Sequence, residues 1–480
     1  MNSFVNAVKN VQLETRTANG MKTFDSSKND LVDLFFMIGA SRGKDLSVPF
    51  TKALKEDELL ALRMLMWARD VRGGAGEREV VRKVLTHLEK NYPKALDRIL
   101  PHLAEFGRWD DLLVFQGKEF KSKAYTLIGN ALREKNGLAA KWMPRKGPIA
   151  REIREFFGMS PKFYRKSLVA LTKVVEQNMC SGDWSNIEYS HVPSLAAARY
   201  QKAFNKHDPE GYAKYKTKLT TGEAKVNAGA VYPYDVIKSR RFGGDDTVIQ
   251  AQWDALPCYI GDELVLPVCD VSGSMCSPVG GNSNLTCMDV CVSLGLYLAD
   301  KNTGPFKDMF LTFSDHSKLQ VLKGNLLDKL NQLERAEWGM STNLHSAFEA
   351  ILKYAVKGGV KANDMPKYIL IMSDMEFNQC VRNDDSAMQM IERKYAEAGY
   401  TVPNIVFWNL NARQGNVPVK YDKKGVALVS GFSPSIMTSI LAAEDLDPVS
   451  VMLNTLNSPR SEEHTSELQS RFGISYAVFC

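Results

Sequence analysis

No stretch of the chain approaches eighteen uninterrupted apolar residues, so nothing in it reads as a membrane-spanning helix. The start, Met1-Asn2-Ser3-Phe4-Val5-Asn6, lacks a charged segment followed by an apolar one, which argues against an export signal and for a cytoplasmic protein. The eight cysteines include no Cys-x-x-Cys pair and several fall inside apolar elements, so neither a disulfide framework nor a structural zinc site is suggested. Cys287 and Cys291 lie four apart on a predicted helix and have metal-ligand spacing, but packing as small hydrophobes accounts for them better. The seven histidines form no ligand-spaced cluster and no nucleophile motif occurs, so no enzymatic activity is expected.

What remains is a soluble globular composition, 44% hydrophobic and 24% charged over 480 residues, long enough for two to four domains. The last twenty-one residues, Arg460 to Cys480, read as a translated sequencing adapter and are excluded from fold reasoning as a scar would be. The layout expected is an N-terminal segment over 1–25, a helical-repeat domain over 26–207, a basic connector over 208–260, an α/β domain over 261–459 and the tail over 460–480.

Asp270-Val271-Ser272-Gly273-Ser274 directly follows an apolar run, Leu264-Val265-Leu266-Pro267-Val268-Cys269. An acid and two hydroxyls therefore stand at the carboxyl end of a predicted buried strand, where open α/β sheets bind ligands. Spaced two apart, Asp270, Ser272 and Ser274 can aim oxygens at one hard divalent cation. Two later segments add oxygens: Gly339-Met340-Ser341-Thr342-Asn343, which leads into a helical pattern, and Tyr368 to Asp374, another apolar strand ending in an acid. Without a metal, the same residues are strand ends whose Ser and Asp cap the following helices.

Together the three segments resemble the metal-ion-dependent adhesion site of von Willebrand factor A domains, with Asp270, Ser272 and Ser274 first, then Thr342, then Asp374. The resemblance implies Mg2+ or Mn2+, and a coordination position left for an acidic protein partner. Strands at 264–269, 309–314, 368–373, 404–409 and 426–431 alternate with helices near 285–301, 343–356, 384–398 and 434–443. That alternation predicts a doubly wound, mostly parallel sheet.

From about Ser26 to Phe204 apolar residues recur at helical spacing, and tight links such as Arg72-Gly73-Gly74-Ala75-Gly76 fit an α-solenoid of stacked helical pairs. Residues 208–260 show little periodicity. Between Lys121 and Val175 thirteen Lys and Arg face three Glu, although the whole chain is only +6. Such a block points to a polyanion, with nucleic acid the commonest. Ser160-Pro161 starts a helix that places Lys162, Arg165, Lys166 and Lys173 on one face and Phe163, Leu168, Leu171, Val174 and Val175 on the other. Lys141, Arg145, Lys146, Arg151 and Arg154 lie just upstream with Trp142 among them, a composition suited to single-stranded nucleic acid; a solvated helix face is the plainer account. Glu376 and His345 lie near the metal loops, although solvent-facing side chains explain them as well.

Helical repeats before an A domain resemble the Ro ribonucleoproteins. Trp67 to Arg78 and Gly107-Arg108-Trp109-Asp110-Asp111-Leu112-Leu113 are similar to segments of the Ro-type (TROVE) helical module. The likeness is closer to a phage, plant and fungal family of unknown function, numbered 2828. It is carried by Asn19 to Phe24, Tyr189 to Ser194 with Arg199-Tyr200, and Val429-Ser430-Gly431-Phe432-Ser433. The Ro likeness implies a HEAT-like ring holding small non-coding or single-stranded RNA. A metal-dependent protein-interaction scaffold without RNA is the alternative.

Overall fold

Helices fill the first half of the chain and a sheet organises the second. The computed structural model describes residues 14–172, 174–280, 282–313, 317–334, 341–379, 384–412 and 415–458; the tail read as an adapter lies outside them. A hairpin of β1 (Glu14–Arg16) and β2 (Lys22–Phe24) opens the described chain. Helices follow from Asp30–Ile38 through Ser194–His207. Next come β3 (Val265–Asp270), a small antiparallel pair, β4 (Pro278–Val279) and β5 (Asn282–Thr286), then β6 (Met309–Phe313), β7 (Lys318–Val321), β8 (Tyr368–Ser373), β9 (Asn404–Asn409) and β10 (Val426–Ser430).

The main sheet has the order β10-β9-β8-β3-β6-β7. It runs outward in both directions from β3, and all neighbours are parallel except the edge strand β7, which returns antiparallel on β6. Every residue of β3, β8 and β10 is buried, as parallel strands covered on both faces require. The sequence pattern missed β7, a four-residue edge strand, Lys318-Leu319-Gln320-Val321, too short and too exposed to form an apolar run.

Residues 208–260 differ from the expected connector, forming helices at Pro209–Thr220, Pro233–Arg241 and Asp246–Asp254. Their buried faces mix tyrosine and tryptophan with only a few aliphatics, Val236, Val248 and Ile249, so aliphatic periodicity is weak there. Tyr212 and Tyr215 pack with Tyr189 and Phe204 in a core separate from the main one, and Trp253 is buried in the main core.

The two halves share one hydrophobic core. The helix Asp30–Ile38 lies along β10: the Ser430 hydroxyl donates to the Phe35 carbonyl (2.6 Å) and accepts from the Gly39 amide (3.0 Å). A Cβ on Gly39 would lie 2.6 Å from the Ser430 carbonyl oxygen, so only glycine permits this approach. Among the described residues no helix is long and apolar enough to cross a membrane.

Candidate functional site

Parallel pairing of β3 with β8 sets Cys269 opposite Met372, so Asp270 and Ser373-Asp374 emerge side by side at the carboxyl end of the sheet. Asp270 is fully buried: its carboxylate accepts from the Ser272 amide (2.9 Å) and the Ser373 hydroxyl (2.5 Å). Burial, with the neighbouring charge of Asp374 adding to it, pushes the Asp270 carboxyl up to about 7, against those hydrogen bonds, which pull it down. After Asp270 the chain turns through a short helix, Gly273–Cys276, that brings the hydroxyls of Ser272 and Ser274 to 3.0 Å. Asp374 is buried too, and the residue behind it, Met375, sits at φ 65°, a left-handed conformation that strains a side-chain-bearing residue. Thr342 is buried, its carbonyl accepting from the Asn378 amide at 3.0 Å. Gly339 and Met340 lie outside the described residues.

Two buried carboxylates in electrostatic contact, with the Ser272 and Ser274 hydroxyls on the loop after β3 and Thr342 on a third loop tied to the one after β8, fit a hard divalent cation: the ion would offset the charge that burial disfavours. Asp270, Ser272, Ser274, Thr342 and Asp374 would supply its oxygens. Among the described residues no three His, Cys, Asp or Glu side chains gather as a metal-binding group. The candidate set depends on hydroxyls for that reason.

The sequence reading missed a cover over these loops. Between β1 and β2, the Asn19 amide donates to the Glu376 carbonyl (2.5 Å) and reaches the Thr342 hydroxyl (3.4 Å). The Ala18 amide donates to the Glu376 carboxylate (2.5 Å), as does the side chain of Asn416 (3.0 Å). Glu376 is therefore buried at 2% exposure, which rules out the solvent-facing reading for it. Nothing local to Phe377 or Asp374 announces a hairpin more than three hundred residues away.

The basic residues divide. Arg145, Lys146, Arg151, Arg154 and Arg165 line one cavity of about 290 Å³ between the helices Pro148–Phe156 and Pro161–Leu171. Lys162 and Lys166 stand exposed beside it, and none of these seven forms an ion pair with the described residues. Lys141 lies apart, 3.9 Å from Glu176, and the Arg108 guanidinium stacks on the neighbouring Trp142 ring, 3.6 Å from its centroid. A larger apolar cavity of about 380 Å³ lies behind Val271 and Cys276, but its arginines are paired, Arg241 with Asp289 and Arg240 with Glu334.

Ser160 caps the helix Pro161–Leu171 as expected, accepting from the Phe163 amide at 3.3 Å. The helix ends at Leu171, however, so Val174 and Val175 are not on it, and Lys173 lies outside the described residues. Its buried face is centred on Tyr164 and Leu168, and Phe163, expected on that face, is 59% exposed. Tyr164 wins the packed position because its hydroxyl reaches the Pro144 carbonyl (3.1 Å). This rotates the helix and turns Phe163 to solvent.

The segments that carry the Ro likeness form a buried knot. The Arg69 guanidinium donates to Asp111 at 2.7 Å, Arg82 donates to the same carboxylate at 2.7 Å, and Gly74 packs so closely that a Cβ there would meet the Trp67 carbonyl. The chain as a whole has a Ro-like layout, helices followed by a sheet that bears a polar site at its carboxyl end. Over 90% of its length it is similar to the crystal structure of Deinococcus radiodurans RO (RSR) protein, covering 99% of that chain with a TM-score of 0.50 and 16% identity. Residues 17–135 and 148–262 match the family described as Domain of unknown function (DUF2828). Residues 265–472 match Domain of unknown function (DUF7788). An uncharacterized protein of Acanthamoeba polyphaga mimivirus is 29% identical over 92% of this chain and 86% of its own length.

Proposed function

We propose that this chain is a non-enzymatic, cytoplasmic RNA-binding protein. In this reading HEAT-like helical repeats hold small non-coding or single-stranded RNA. A von Willebrand A domain with Mg2+ or Mn2+ at Asp270, Ser272, Ser274, Thr342 and Asp374 recruits an acidic protein partner. The observation that carries the RNA reading is the gathering of five unneutralised cations around one cavity, with Lys162 and Lys166 beside it and no acid on its wall. Exposed Phe163 adds an aromatic face of the kind that stacks single-stranded bases. The Ro-like fold is consistent with it.

The test is RNA binding by the full chain across a salt series. Engagement of five cations by a single strand gives a log–log slope of about −3 to −4. Replacing Lys162, Arg165 and Lys166 by Glu is expected to weaken binding by at least about 100-fold and flatten that slope. Unchanged affinity in the triple variant rejects the reading. A metal-dependent interaction scaffold without RNA is then favoured, since the buried Asp270 and Asp374 pair calls for a cation whether or not RNA binds.

A further inference from the structure

RNA binding by a basic surface does not say which part of a strand meets it. We infer that the cavity between the helices Pro148–Phe156 and Pro161–Leu171 is a pocket for a terminal phosphomonoester of a nucleic-acid strand, an inference that rests on the RNA reading above.

The first reason is charge density. Arg145, Lys146, Arg151, Arg154 and Arg165 all lie on the wall, no Asp or Glu does, and none of the five is held in an ion pair with the described residues. Arg69 and Arg82, by contrast, are neutralised by Asp111. An internal phosphodiester brings one negative charge to such a site. A terminal phosphomonoester brings about −1.5 to −2 near neutral pH, with three free oxygens for bidentate guanidinium forks.

The second reason is the backbone. The helix Pro148–Phe156 starts at the cavity, and its N-cap, Gly147, has no side chain to satisfy the first-turn amides. Gly147 sits at φ 90°, and a Cβ there would meet nothing within 4 Å, so the residue serves the turn and not packing. The neighbouring helix, by contrast, is closed by the Ser160 side chain. The uncapped amides and the positive end of the dipole add to the cationic wall.

The third reason is shape. A volume of about 290 Å³ sits at the small end of ligand pockets, roughly 300–1,000 Å³, and suits one end group better than a strand threaded through. Tyr164 forms a fixed floor because it is buried and its hydroxyl is spent on the Pro144 carbonyl at 3.1 Å. Phe163, 59% exposed on the first turn of the same helix, offers a face for the terminal base.

The experiment uses the full chain and one single-stranded oligoribonucleotide sequence with an internal fluorophore, prepared with a 5′-phosphate, a 3′-phosphate or hydroxyls at both ends. Fluorescence anisotropy is expected to show one phosphorylated form binding about tenfold more tightly than the hydroxyl form, the favoured arm identifying the terminus. Replacing Arg151 and Arg165 together by Ala is expected to erase that preference, with circular dichroism confirming the fold. Equal affinity for all three forms overturns the pocket while leaving RNA binding intact. A preference that survives the double substitution overturns it as well. Failure of every form to bind overturns the RNA reading and the pocket with it.

Discussion

At the end of the sheet, two carboxylates are buried side by side under a hairpin; in the helical half, five cations line one cavity with no acid on its wall, and Lys162 and Lys166 stand beside it. Both places are electrostatically incomplete, in opposite senses and at different cost. Burial and the neighbouring carboxylate disfavour ionisation of Asp270 unless a proton or a cation is bound, and the oxygen donors around it suit a small hard ion. Exposed cations are hydrated and cheap, so they point to polyanions as a class without selecting one. The buried site is thus specific in chemistry, and the open one becomes specific only through the shape of its cavity.

The sharpest way to break this comparison is Asp270→Ala. Removing one of the two carboxylates is expected to lower Mn2+ affinity by at least about 100-fold, read by titration calorimetry, since even residues that only orient metal ligands contribute about 10–100-fold. RNA affinity is expected to stay within about twofold, because no residue of the cationic cavity touches the sheet site. A parallel loss of RNA binding shows the two regions to be coupled, and the contrast between them then fails.

A pH series sharpens the same contrast. With the Asp270 carboxyl raised from 3.8 to about 7, the metal-free fold favours its protonated form. That contribution to stability is full below about pH 4 and is lost as pH rises through about 7. A metal must displace the proton, so Mn2+ affinity is expected to rise about tenfold per pH unit up to about pH 7 and then level. Affinity that is flat between pH 5 and about pH 7 contradicts the placement of Asp270 at the ion.

The difference between the regions also explains what could be read from sequence. β3, β6, β8, β9 and β10 were legible because fully buried parallel strands are continuous apolar runs, and the acids at the ends of β3 and β8 marked the site. The cations were legible as a charge excess, but the helix rotation that exposes Phe163 depends on one hydroxyl finding the Pro144 carbonyl. The helices between Pro209 and Asp254 were hidden by their aromatic packing. The resemblance-bearing segments Asn19 to Phe24 and Val429 to Ser433 were visible as matching strings, yet their role is tertiary: one covers the sheet site, the other clasps the first long helix.

The smallest effect tests that cover. Asn19 joins two loops of the sheet site, donating to the Glu376 carbonyl and reaching the Thr342 hydroxyl, while Ala18 holds the Glu376 carboxylate independently. Asn19→Ala therefore leaves the hairpin attached, and is expected to cost about 1 kcal/mol, the usual worth of a neutral hydrogen bond. In thermal unfolding this is a shift of about 2 °C or less for a chain of this length. Its effect on the metal is expected to be larger in proportion: Thr342 loses the donor that orients its hydroxyl, and Mn2+ affinity falls about threefold to tenfold. Loss of stability with metal affinity unchanged makes Asn19 a fastening of the hairpin alone and removes Thr342 from the set of ligands the hairpin controls.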